Sequence, residues 1–205
     1  AFYNIVLAFD SSQGTASNRI KIYVNGVQET SFANTDYPDQ DLDMKIMAAE
    51  LQRLGKDSEQ ANPFANCYYC EVVGIDGQQL AADQFGEFDS DSNIWKPIDV
   101  SGLTFGTNGF HLDFEDSSAL GNDVSGKNND FANTNFAAID QSTDTCTNNF
   151  NTLNPLAKRS AANGTLAEGN LQYTASGGDS SIFGTMGIPP GMKVYFEVKL
   201  VSNTA

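Results

Sequence analysis

The chain has 205 residues, enough to bury a core and to form one large domain or two small ones. It carries 26 Asp and Glu against 11 Lys and Arg, a formal net charge of −15 at pH 7. Such a surface repels phosphate backbones and anionic lipids, which argues against nucleic acid and membrane surfaces as partners, and no stretch approaches the ~18 apolar residues of a membrane span.

Glycine (18) and phenylalanine (14) are plentiful, apolar runs are short, and Asn, Asp, Ser and Thr crowd the connections, so the chain reads as mainly β. Residues 2–9, FYNIVLAF, and 19–27, RIKIYVNGV, are predicted strands joined as a hairpin, and Asn25-Gly26 signals a further tight turn. In the second strand Ile20, Ile22 and Val24 alternate with Lys21, Tyr23 and Asn25, the pattern of a sheet with one buried face. The stretch 41–55, DLDMKIMAAELQRLG, fits a helical stripe and a sandwich strand about equally, and stays open between them.

Further along, NCYYCEVVGIDG (66–77) predicts a strand ending in a turn, and QQLAADQFGEF (78–88) a short helical or irregular cap. Residues 89–108 carry the only Trp, Trp95, together with Pro97 and several glycines, as expected of a connector that anchors one aromatic. GFHLDF (109–114) predicts a strand with Phe110, Leu112 and Phe114 on one face and His111, Asp113 and Glu115 on the wet one. Beyond it, the spaced hydrophobes Phe136, Ile139, Phe150, Leu153 and Leu156 suggest an extended arm docked on a neighbouring surface. GTLAEGNLQYTASG (164–177) and MKVYFEVKLV (192–201) read as strands of a further β unit. The chain opens in one strand pattern and closes in another, which suggests a longer parent protein.

Four constellations bear on chemistry. EFDSD places Glu87, Asp89 and Asp91 at the period-two spacing of retaining β-glucanases, whose carboxyl groups stand ~5 Å apart, but turn-like flanks favour a solvated turn over a catalytic pair of Glu87 and Asp91. His111 is the sole histidine and no GxSxG elbow accompanies it, so nucleophilic hydrolysis has no visible machinery, and phosphate-cradling loops are absent. The tract DFEDSSALGNDVSGKNND offers Asp113, Asp116, Asp123 and Asp130 as candidate Ca²⁺ ligands; its spacing fails the EF-hand pattern, and acids capping their own turns are the preferred reading. Cys67, Cys70 and Cys146 form an odd set lacking metal-site spacing, structural rather than ligating, with their pairing open.

Taken together, the strings resemble a known combination. NIVLAFDSSQGTASNRIKIYVNGVQETSF (4–32) and CYYCEVVGIDGQQLAADQFGEFD (67–89) resemble laminin-G/concanavalin A-like jelly rolls, while GNLQYTASG (169–177) and KVYFEVKLV (193–201) resemble the opening of a SPRY-type sandwich. The segment between them, WKPIDVSGLTFGTNGFHLDFEDSSALGNDVSGKNNDF (95–131) leading to NNFNTLNPL (148–156), is similar to the region following such domains in long structural proteins of marine tailed phages. The resemblance implies an all-β fold in three parts: residues 1–90 the C-terminal part of a jelly roll, 91–160 a connector with strand 109–114 and an extended arm, and 161–205 the start of a second β sandwich. It implies a non-enzymatic virion component, a tail fibre, spike or capsid-attached appendage, homo-oligomeric and in contact with other virion subunits. Host-surface glycans are its expected ligands, with Tyr37, Tyr68, Tyr69 and Trp95 as candidate sugar platforms. A β-glucan-processing hydrolase and a purely architectural protein without ligand are the alternatives.

Overall fold

The structure, a computed structural model, describes residues 2–56, 65, 67–91, 93–142, 144–147, 150–158, 164–175, 181–188, 190–191 and 193–201. These are built from strands, with one four-residue helix and two short 3-10 turns, so the chain is all-β. It divides into two compact units, residues 1–148 and 149–205.

The first unit opens as a meander. Strand β1 (Ile5–Phe9) pairs antiparallel with β2 (Ile20–Val24), which pairs with β3 (Val27–Glu29). The register sets Ile5 opposite Val24, Leu7 opposite Ile22 and Phe9 opposite Ile20, so all six share one face. Val6 and Ala8, on the other face, are buried. Ile5 and Leu7 stay exposed, so β1 buries only its Val6–Ala8 face, which Lys21 and Tyr23 share, and not the face of Ile20, Ile22 and Val24 that the alternation predicted. Arg19 pins the loop between β1 and β2: its guanidinium donates to the carbonyls of Gln13 (2.9 Å), Gly14 (3.4 Å) and Pro38 (2.8 Å).

Asn25 (φ 48°) and Gly26 (φ 79°) both take the left-handed backbone that a two-residue hairpin turn of the right twist requires, as the Asn-Gly signal predicted. Asn4 and Asn25 lock this turn by a reciprocal pair: Asn4 N–H donates to Asn25 Oδ1 (2.9 Å) and Asn25 N–H to the Asn4 carbonyl (2.8 Å). A Cβ on Gly26 would run into the Trp95 ring. Gly26→Ala therefore combines left-handed strain with a displaced indole, and we expect it to cost about 2 kcal/mol, read as a lower urea midpoint of Trp95 fluorescence. An unchanged midpoint would show that the indole gives way freely.

Strand β4 (Val72–Gly74) pairs with β7 (Phe110–Leu112), and the hairpin β5 (Gly86–Phe88) with β6 (Trp95–Pro97) lies between them in sequence. A 3-10 turn, Ala82–Gln84, supplies part of the irregular cap expected over 78–88, but the last residues of that stretch form β5, so Glu87 lies on a strand rather than in a turn. The buried apolar residues include Val6, Ala8, Ala82, Val100, Phe105, Phe110, Leu112 and Leu120.

Several expectations are corrected. Residues 41–55 form neither helix nor strand but a run of turns and bends, with Asp41 and Met47 at positive φ. The strand expected across 66–77 contracts to Val72–Gly74, and Asn66 lies outside the described residues. The boundary expected at residue 90 falls inside the β5–β6 hairpin, and the β4–β7 pairing also crosses it, so residues 91–148 belong to the first unit. The strand expected over 109–114 stops at Leu112, because Phe114 turns to φ 58° and breaks the alternation. Asp113 and Glu115 consequently do not extend a wet strand face.

In the second unit β8 (Leu153–Lys158) pairs with β11 (Ile182–Gly184), and β9 (Gly164–Ala167) pairs with β10 (Gln172–Ala175) through a turn carrying Glu168, Gly169 and Asn170 at positive φ. The buried Thr152 ties the two edges, its N–H donating to Thr185 Oγ1 (3.0 Å) and its carbonyl accepting from Thr185 N–H (2.8 Å). The expected arm 132–160 is therefore not one element. Its last residues form β8, and Phe136, Ile139 and Leu156 are exposed rather than docked, Leu156 at 94%. Residues 193–200, patterned as a strand, have no ladder partner among the described residues, and Val194, Phe196, Val198 and Leu200 face solvent. Residues 161–163, 176–180, 189, 192 and 202–205 of the expected second sandwich lie outside the described residues, as do 159–160 of the arm.

Candidate functional site

The residues singled out from the sequence lie in the acidic tract after β7, the tyrosines before β4, the β5–β6 hairpin, and the surroundings of Tyr37; a cavity beside β1 adds a further place.

The acidic tract folds back along β7. Asp123 is only 6% exposed, and its carboxylate accepts four hydrogen bonds. Oδ1 takes the backbone N–H groups of His111 (2.8 Å) and Ser125 (2.9 Å); Oδ2 takes the Ser125 hydroxyl (2.9 Å) and the Asn129 N–H (2.9 Å). That fills the acceptor capacity of an ionised carboxylate. Burial pushes its carboxyl pKa up, but the hydrogen bonds from His111, Ser125 and Asn129 together outweigh it and leave the pKa below the ordinary value.

Around this centre Val124 N–H donates to the His111 carbonyl (2.9 Å), and Asn129 Nδ2 donates to the carbonyls of Thr107 (3.0 Å) and Gly109 (2.8 Å). Asp130 Oδ1 accepts from Asp123 N–H (2.9 Å), and Phe131 packs edge-on against Phe110 with ring centroids 4.8 Å apart. Loop 121–131 thus acts as a substitute strand, satisfying the edge of β7 that β4 does not cover.

Of the four candidate calcium ligands, only Asp123 and Asp130 come together, through one hydrogen bond from the Asp123 N–H to the Asp130 carboxylate. Asp113 and Asp116 are turn residues: Asp113 Oδ1 accepts from Glu115 N–H (3.1 Å), and Asp116 Oδ1 from Ser118 N–H (2.8 Å) and its hydroxyl (2.6 Å). The Ser118 hydroxyl and amide hold the Asp116 carboxyl below its ordinary pKa. Among the described residues, no three His, Cys, Asp or Glu side chains converge to hold a metal ion.

His111 pairs with a partner that no sequence spacing announces, Glu71, forty positions away. Its Nε2 lies 2.7 Å from Glu71 Oε2, and its ring stacks on Phe105. The β4–β7 register places Val73 opposite His111, which carries Glu71 to the imidazole.

Glu87 and Asp91 occupy the β5–β6 hairpin. Glu87 and Asp89 both pair with Lys96, each at 3.3 Å, while Asp91 N–H donates to Asp89 Oδ1 (3.1 Å) in a turn. Asp89, not Asp91, shares the cation with Glu87.

The aromatics separate by environment. Trp95 is half-buried, packed edge-on to Phe88 at 5.0 Å and close over Gly26 and Gly86, which gives it a packing role. Tyr37 is half-buried beside Phe32, Lys21 and Gln28. Tyr68 and Tyr69 are exposed, at 61% and 38%, side by side on a segment without strand partners. Burial, with the Cys67 contact after it, pushes the Tyr69 hydroxyl pKa above its ordinary value.

The cavity, about 820 Å³, is bounded by β1, residues 42–48, the β4 edge and residues 97–100. Its rim carries Asp10, Asp43, Glu71 and Asp76, with no Lys or Arg lining it. Three of these acids are committed: Asp10 to Ser12 and Gln13, Glu71 to His111, and Asp76 to the Asn108 amides. An open hollow with an anionic rim disfavours anionic ligands.

No protein-family model matches the chain, and no curated protein or solved structure matches it.

The cysteines resolve the open pairing. Cys70 and Cys146 form a disulfide across 76 residues with Cα atoms 6.4 Å apart, and Cys67 is free and exposed.

Proposed function

We propose that the chain is part of a virion appendage, a tail fibre, spike or capsid-attached structure, whose jelly-roll-type modules present exposed aromatics to host-surface glycans and join neighbouring subunits. The observation that carries this reading is the pair Tyr68 and Tyr69, adjacent, exposed and mounted beside a sheet, the shallow aromatic surface on which neutral sugars stack. The long-range β4–β7 pairing, which encloses a hairpin in sequence, supports a sandwich architecture. The acidic surface suits a neutral glycan better than a sulfated or phosphorylated one.

A glycan array probed with the full chain, with calcium and with chelator, tests the reading. We expect hits among neutral glycans, weakened about tenfold by Tyr68→Ala or Tyr69→Ala. An array without hits in either condition would leave the architectural alternative standing. Laminarin turnover abolished by Glu87→Gln would move the protein to the glycosidases.

A further inference from the structure

We propose that Cys67, Cys70 and Cys146 form an intramolecular thiol–disulfide exchange switch. The Cys67 thiolate attacks Cys70 Sγ, the Cys67–Cys70 bond forms as the Cys70–Cys146 bond breaks, and Cys146 leaves as a thiolate that takes up a proton from water. One disulfide is present before and after, so the step needs no oxidant or reductant.

Three features converge on it. The attacking residue is free and exposed, three positions from a disulfide-bonded one, a spacing at which a four-residue ring can close. Residues 67–71 carry no ladder hydrogen bonds, so tightening them into a turn breaks no strand pairing. The leaving cysteine sits in 144–147, which belongs to no strand, and its N–H donates to Cys70 Sγ (3.3 Å), a hydrogen bond that its departure breaks. The Cys67 side chain lies within hydrogen-bonding reach of Tyr69, inside the ring that would close, so exchange reshapes the tyrosine segment while freeing the stretch that leads into the second unit. The inference is independent of glycan binding.

Trypsin reads it directly. Because Lys96 precedes proline, cleavage gives one peptide, 57–127, holding Cys67 and Cys70, and another, 128–158, holding Cys146. The full chain is incubated without thiol at about pH 8.5, quenched in acid at intervals, alkylated and digested without reduction. In the wild type, the fraction of free 128–158 alkylated at Cys146 should rise with time to a plateau, at a rate independent of protein concentration. In Cys67→Ser the two peptides should stay linked throughout. Wild type indistinguishable from Cys67→Ser, a rate proportional to protein concentration, or label on Cys70 with the peptides still joined would each overturn the proposal.

Discussion

Asp123→Ala should destabilise the first unit by about 3–4 kcal/mol, the larger for leaving donors stranded than for losing bonds. The carboxylate satisfies the N–H groups of His111, Ser125 and Asn129 together with the Ser125 hydroxyl, and alanine supplies no acceptor for any of them. Water can reach part of the site, since His111 and Asn129 are only half-buried, which keeps the loss below that of a sealed interior. Trp95, the only tryptophan, lies in the first unit, so its fluorescence in a urea titration reports that unit alone. Asp123→Asn should lose less, keeping one acceptor oxygen but turning an NH₂ toward donors. Asp116→Ala, which removes an exposed turn acid, should leave the midpoint close to wild type. Equal midpoints for Asp116→Ala and Asp123→Ala would refute the central place given to Asp123.

The same carboxylate sets a pH dependence whose sign follows from its lowered pKa. The folded chain holds Asp123 ionised more readily than the unfolded chain does, so its contribution is fully present above about pH 4, the ordinary carboxylate range. It is lost as pH falls through the lower folded value. The gap in stability between wild type and Asp123→Asn should therefore narrow on acidification below pH 4, and a constant gap would show that the charge itself is unimportant.

These residues also show how far the sequence could be read. The Asn25-Gly26 turn was legible because local rules decide it: two positive-φ positions call for Asn and Gly, and β alternation flanks them, whereas 164–177, read as strand, breaks into the β9–β10 hairpin at Glu168, Gly169 and Asn170. The acids of 109–131 were legible as turn formers. That Asp123 alone would be buried was not, because burial depends on the β4–β7 pairing that fixes which edge of β7 remains open. Glu71–His111 and Cys70–Cys146 were hidden for a like reason, being set by contacts between segments 40 and 76 positions apart. Strand ends failed where one residue leaves β space, as at Phe114, whose φ of 58° no aromatic side chain advertises. The stretch 41–55 was ambiguous in sequence and follows neither pattern in the fold, its apolar residues at Leu42, Met44 and Met47 lining a cavity rather than building an element.

Removing the Cys70–Cys146 disulfide should cost the first unit roughly 4 kcal/mol, chiefly by releasing the unfolded chain from a closed loop spanning 76 positions. The folded side adds less. Residues 144–147 carry no strand pairing, and the segment retains a second anchor at Gln141, whose Nε2 donates to the carbonyls of Phe114 (2.7 Å) and Glu115 (2.8 Å). The double variant Cys70→Ser/Cys146→Ser, followed by Trp95 fluorescence in urea, should show the full loss with little change in the folded spectrum. Dithiothreitol should bring the wild type down to the same midpoint and leave the double variant where it is. In acid, where thiol–disulfide exchange is quenched, Cys67→Ser should match the wild type, because Cys67 contributes no crosslink to the native pairing. A wild type whose midpoint ignores dithiothreitol, under conditions where alkylation shows all three thiols free, would mean that the unfolded chain is held compact by something other than this bond.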